Sequence, residues 1–134
     1  MTNDVAQADL EAAYGSVNIA KWADPNNTES VEVRATRVAW AIEFAADYIN
    51  GRLVHSGYDV PWDEVPELII KLTALQAGIL LYDTRRIVSD EKDQVSAQRK
   101  LVDSYIRQIM RGQLKLFVGS EVVEKTSLNR PFAV

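Results

Sequence analysis

The chain has no cysteine, a single histidine, and no apolar run approaching the roughly 20 residues a membrane-spanning helix needs. Each absence excludes a class of function. Without cysteine there is no disulfide scaffold, no thiol nucleophile and no thiolate metal site, and the composition suits a reducing cytoplasm. One histidine, His55, leaves a zinc site short of ligands. The glycine patterns that cradle phosphates, the dinucleotide fingerprint and the P-loop, are missing too. The first residues, MTNDVAQADLEAAYG, hold acidic side chains and no basic-then-apolar segment. No signal peptide is therefore expected, and the product should be soluble and intracellular.

What is present is ordinary for one globular domain: 134 residues, 47% hydrophobic and 25% charged, enough for a core without staples. The net charge of -4 argues against general nucleic-acid binding. Its distribution is uneven. Residues 1–67 carry 12 acidic and 4 basic side chains, whereas residues 68–134 carry 7 acidic and 11 basic. Such a chain could pair head to tail with copies of itself. Equally, both charge sets could be solvated, or neutralise each other within one molecule.

Periodicity predicts a mainly α protein: a small bundle of three long helices plus short N-terminal helices, with an extended or hairpin C-terminal arm. Residues 1–113 form the bundle and 114–134 the arm. A short helix over 8–14 ends at Gly15, and Ser16 caps a second turn through Trp22. After the Asp24–Thr28 turn, Asn27 or Thr28 can cap a long helix from Glu29 to about Leu53. In it Val31, Ala35, Val38, Ile42, Ala45, Ile49 and Leu53, spaced three or four apart, make one apolar stripe. Val33, Trp40 and Phe44 lie on nearly the opposite side, which must be covered by the N-terminal helices or by another subunit. Beyond a glycine- and proline-punctuated loop, Pro66 fits the first position of the next helix. That helix should be the central one. Leu68, Leu72, Leu75, Ile79 and Tyr82 make one stripe, with Ile70, Ala74, Ala77 and Leu81 behind it and Arg85-Arg86 at its end. Ser89 or Asp90 caps the third long helix, which ends at Gly112. Its apolar arc is Val95, Leu101, Val102, Tyr105, Ile106, Ile109 and Met110; its opposite arc is Arg99, Lys100, Arg107 and Arg111. The arm breaks this period. Leu114–Val118 and Glu121–Val123 around Gly119-Ser120 read as a hairpin. An arm bearing Leu114, Leu116, Phe117, Val118, Val122, Val123, Leu128 and Phe132 either finds a partner or folds back onto its own bundle.

No catalytic centre emerges, and no metal or cofactor is expected. His55, Ser56 and Asp59 share one loop, whereas a hydrolytic triad is assembled from separate segments, so a hydrolase reading is remote. Asp24, Asn26 and Thr28 resemble the start of a calcium loop, but Glu29 replaces the required glycine and Ala35 the closing glutamate, so helix capping explains them better. Asp63, Glu64 and Glu67 lie where a helix begins, which favours carboxylates anyway. The basic arc lacks interleaved aromatics and contains Asp103, which favours a solvated or partner-facing surface over a nucleic-acid site.

The order of these parts resembles the head–tail adaptor (head-completion or connector) proteins of long-tailed bacteriophages, especially the group encoded by Mu-like prophages. The residues that carry the resemblance are Ala8-Asp9-Leu10-Glu11-Ala12-Ala13-Tyr14-Gly15, Trp22-Ala23-Asp24, and Asp47-Tyr48-Ile49-Asn50-Gly51-Arg52-Leu53. Val65-Pro66-Glu67-Leu68, Ala77, Leu80-Leu81-Tyr82, Arg85-Arg86 and Arg111-Gly112-Gln113-Leu114 continue it. It covers about residues 8–116. Family members often have an acidic, glycine-bearing turn where this chain has Asp24–Glu29, and the tail beyond Phe117 lies outside the likeness.

The resemblance implies a non-enzymatic protein of the virion neck, made in the host cytoplasm. Copies would form a ring, of about twelve, beneath the portal protein. The ring would extend the DNA channel and receive a stopper or tail-completion protein, with DNA touched only in passage and no membrane involved. Subunit contacts would then be expected through Val33, Trp40, Phe44, Arg99, Lys100, Arg107 and Arg111. The C-terminal arm would bind the portal or a neighbour by strand addition or groove insertion. The competing expectation is a small helical phage or bacterial regulator or chaperone that binds a single protein partner.

Overall fold

The computed structural model describes residues 2–24, 30–84 and 92–125. Within them five helices and one hairpin follow in order: α1 (Gln7–Tyr14), α2 (Ser16–Trp22), α3 (Val31–Val54), α4 (Glu67–Asp83), α5 (Lys92–Met110), β1 (Leu116–Val118) and β2 (Glu121–Val123). The mainly helical architecture with a small terminal hairpin agrees with the periodicity. No described helix is long and apolar enough to cross a membrane.

The helix ends obey local chemistry. The Ser30 hydroxyl accepts the Val33 N–H at 3.2 Å and caps α3. The expected caps Asn27 and Thr28 lie outside the described residues, as do Ser89, Asp90 and Arg85-Arg86. Gly15, not Ser16, holds the cap position of α2, with a left-handed φ of 91° that a side chain would strain. Pro66 stands one residue earlier than expected, as the cap of α4. At the end of α5 the Gly112 N–H reaches the Ile109 carbonyl and the Gln113 N–H reaches that of Gln108. This is the paired closure that a left-handed glycine permits.

Helix α4 is the hub, packed against α1, α2, α3, α5 and β1. Ile69, Leu72, Ala74, Ala77, Ile79 and Leu81 are buried on it. Tyr14 lays its ring on Gly78, where an added Cβ would overlap the ring, and donates its hydroxyl to the Leu75 carbonyl at 2.7 Å. Trp22 meets Tyr14 and Tyr82 edge-on, with ring centroids 5.1 and 5.4 Å away. These aromatic contacts tie the α1–α2 pair to α4. A buried amide cluster closes the other side. Asn3 and Asn50 exchange side-chain hydrogen bonds of 3.0 and 2.9 Å, Asn3 also donates to Thr73, and the Trp62 indole donates to Asn50. Each member has at least one hydrogen bond to a neighbour, so polar groups are tolerated in the core.

Two expectations about α3 change. Val38, Ile42, Ala45, Ile49 and Leu53 are buried as the stripe predicts, but Val31 and Ala35 are exposed. With 24 residues α3 is about 36 Å long, against about 26 Å for the 17 residues of α4, so its first turns overhang the bundle. The outer side of α3 is not covered by α1 and α2, which spend their apolar faces mainly on α4.

For the arm, the structure separates the two alternatives over the described residues. Its hairpin has the expected two-residue turn and the register Leu116↔Val123, Phe117↔Val122, Val118↔Glu121. It is not a free arm over the described residues, however. Leu116 is 0% exposed, and Leu114 and Val123 pack against the core. Lys125 donates to the Met110 carbonyl at 2.7 Å and lies over the Tyr58 ring. The alternation of a strand explains the division: the 116/123 pair faces in, so the 117/122 pair faces out. Leu128 and Phe132 fall outside the described residues.

Candidate functional site

The residues singled out for contact with a partner sort into two adjoining surfaces. The first is the outer face of α3. Trp40, Phe44 and Tyr48 recur every four positions, which turns each only about 40° from the last, and they are 47%, 52% and 43% exposed. The Trp40 and Phe44 rings touch, with centroids 5.4 Å apart. Val33 lies on the same side and is also exposed. Three large aromatic side chains in a row on one solvent-facing helix surface exceed the scattered apolar exposure of an ordinary monomer.

The second surface is a groove of about 390 Å³ lined by Tyr48, Gln76, Arg99, Lys100, Val102 and Asp103. Tyr48 therefore belongs to both, and the aromatic row runs into the groove. One turn on from Tyr48, Arg52 donates to its hydroxyl at 3.2 Å and lies over its ring. Arg52 also reaches across to Asp103 on α5 at 3.2 Å, and Asp103 takes a second cation, Arg107, at 2.9 Å. At the far side Arg99 grips Asp83 with two bonds, 2.9 and 2.7 Å long, joining α5 to the end of α4. That fork holds the Arg99 proton more firmly than usual despite partial burial. Lys100 makes no ion pair with any described residue. Burial pushes the Tyr14 phenol well above its ordinary range, and the nearby Arg99 charge offsets only part of this.

The predicted basic arc is thus divided. Arg99 and Lys100 line the groove, Arg107 joins them through Asp103, and Arg111 lies in the turn beyond α5, outside the lining. The sequence showed Asp103 within the arc but missed Tyr48, Arg52 and Gln76 as its neighbours. Tyr48 had a legible signal, the four-residue step from Phe44; the others depend on how α3, α4 and α5 meet. On the hairpin, Phe117 and Val122 form a smaller outward apolar pair, whereas Leu114, Leu116 and Val123 are used inside the molecule.

The polar loop offers no assembled chemistry. The Ser56 hydroxyl donates to the Arg52 carbonyl at 3.3 Å, ending α3, and His55 occupies the position that caps the helix. Among the described residues no group of three His, Cys, Asp or Glu side chains is placed to hold a metal ion.

Comparison with known proteins gives one result. No curated protein and no solved structure matches the chain. A family described as Bacteriophage Mu, Gp36 matches residues 5–133. The match runs through the tail beyond Phe117, so the resemblance extends further than the order of motifs indicated. With nearly its whole length matched, the chain belongs to the bacteriophage Mu Gp36 family.

Proposed function

We propose that the protein is a structural head–tail adaptor of a tailed phage, without enzymatic activity. Copies form a ring beneath the portal protein, extend the DNA channel and receive the stopper or tail-completion protein in the virion neck. The observation that carries this reading is the outward aromatic row Val33, Trp40, Phe44 and Tyr48, which the molecule's own helices leave uncovered. Membership of a phage family and the order of motifs along the chain support it. Such a row, running into a groove of cations, has the make-up of a protein contact: an aromatic centre with arginine beside it. In this reading the arm meets the portal or a neighbour through Phe117 and Val122. DNA passes the ring without being bound.

The test is to mix the protein with the portal protein of the same phage and determine the stoichiometry by native mass spectrometry and electron microscopy. A ring stacked on the portal is the expected outcome. A one-to-one complex would instead favour a regulator or chaperone, and no complex at all would remove the adaptor reading.

A further inference from the structure

We propose that Trp40 and Phe44 of one copy seat in an apolar groove between α1 and α4 of the next copy. The inference rests on the ring reading above and names the surface that the aromatic row meets. The groove has a volume of about 360 Å³ and is walled by Ala12 and Ala13 of α1 and by Ile70, Ala74 and Leu75 of α4. Its origin is local. Tyr14 clamps the end of α1 onto Gly78 and the Leu75 carbonyl, while Ala12 and Ala13, both exposed, are too short to fill the space that remains. Ile70 and Leu75 are left half-buried. The two ionisable groups on the lining, Asp9 and Lys71, are opposite in sign, and Asp9 accepts the Ala6 N–H at 2.8 Å. Apolar fit, not net charge, is what this groove offers.

Each copy therefore supplies one convex apolar surface and one concave one. Their dimensions agree. Ile70 to Leu75 spans about 7.5 Å along α4, and Trp40 to Phe44 about 6 Å along α3. Bulky aromatic side chains entering a pocket are the usual anchors of a protein contact. The two surfaces do not meet within one molecule. On α4 the groove residues centre about 160° around the axis from Thr73 and Gln76. Those two face α3: Asn3 links Thr73 to Asn50, and Gln76 lines the groove that holds Tyr48. On α3, Trp40 and Phe44 stand about 160° from the centre of the inner stripe, whose Val38, Ile42, Ala45, Ile49 and Leu53 are buried. Row and groove thus lie on opposite sides of the α3–α4 pair, about 20 Å or two helix diameters apart. A contact that uses two different surfaces is heterologous and closes into a ring when the rotation allows. Its size fits the same role. At 47% and 52% exposed, Trp40 and Phe44 offer roughly 200 Å² between them, well below the about 800 Å² per partner of a stable pair. The contact anchors ring neighbours and does not hold a dimer by itself.

Because the chain has no cysteine, an introduced thiol is the sole one present. Glu43→Cys, beside Phe44, and Lys71→Cys, on the groove, both at exposed positions, are mixed at the highest concentration the protein reaches and trapped with a short bis-maleimide. Dimers joining position 43 to position 71 should exceed either homodimer by roughly tenfold. Their yield should hold as salt is raised, because an apolar contact is not screened. Ala13→Phe, added to the Lys71→Cys chain, fills the groove from an exposed position and should abolish the product with helix content unchanged by circular dichroism. Phe44→Ser in the other chain should abolish it from the opposite side. No cross-link, dimers in statistical proportion, a yield that collapses in salt, or a product that survives both substitutions would overturn the contact. The adaptor reading fails separately: a portal-bound ring without this cross-link discards only the contact, and the cross-link without a portal ring discards only the adaptor.

Discussion

The two faces of α3 are built from the same material and have opposite fates. The inner face, Val38, Ile42, Ala45, Ile49 and Leu53, is buried. The outer face carries larger apolar side chains, Trp40, Phe44 and Tyr48, and stays about half exposed. Hydrophobicity therefore does not rank these faces for burial; what does is which neighbouring helix arrives. Helices α4 and α5 pack on the inner side. The α1–α2 pair could have covered the outer side, but the Tyr14 ring on Gly78, its hydroxyl on the Leu75 carbonyl, and Trp22 against Tyr82 draw that pair onto α4. An apolar face left over after the core is complete is a surface available to another molecule.

Substitutions on the two faces should separate stability from assembly. Ile49→Ala on the inner face removes a fully buried side chain and should cost about 2–5 kcal/mol in urea unfolding, because the cavity cannot refill. A cost below about 0.5 kcal/mol, the size of an ordinary surface change, would show that the inner face is not the core.

A smaller effect comes from the contact that draws the α1–α2 pair inward. The folded-state pKa of Tyr14 is raised by burial, so its contribution is fully present below the unfolded value near 10. It is lost progressively as pH rises above that value, because the unfolded chain then releases a proton the folded chain retains. Thermal unfolding of the wild type should weaken with pH above about 10 more steeply than that of Tyr14→Phe. The variant should also lose about 1 kcal/mol at neutral pH, where the hydroxyl bond to Leu75 is missing. Parallel pH profiles would place the ionisation elsewhere.

The smallest stability effect belongs to the outer face. Trp40→Ser with Phe44→Ser should shift unfolding by no more than about 0.5 kcal/mol per site, as for exposed positions, while ring formation on the portal is lost. Should the pair unfold the protein, the outer face would be structural after all; intact rings would mean the partner binds somewhere else.

Much of the fold is legible in the residues, and the site much less so. The helix spans, the Gly15 and Gly112 stops, the central place of α4 and the hairpin turn at Gly119-Ser120 follow from local pattern. The arm's two readings could not be separated in the sequence, because an apolar strand reads the same whether Leu116 enters its own core or another protein. The amide cluster of Asn3, Asn50, Thr73 and Trp62 left no signal, since its members are 47 and 70 positions apart for the bonds that Asn3 makes. Of the groove, Arg99, Lys100 and Arg107 were visible as a basic arc with Asp103 among them, but Asp83 and Arg52 as partners from other helices were not.

The division has a physical cause. Helix and strand periods, caps and turns are settled by residues within a few positions of one another, so the order of amino acids determined the elements, the two apolar sides of α3 and the uneven charge of the two halves. Packing joins segments far apart in the chain and is decided by shape and by which polar groups can be satisfied. Only the tertiary structure therefore decided which side of α3 faces outward, that the hairpin's inner pair is spent on the bundle, and that an aromatic row leads into a groove holding more cations than carboxylates.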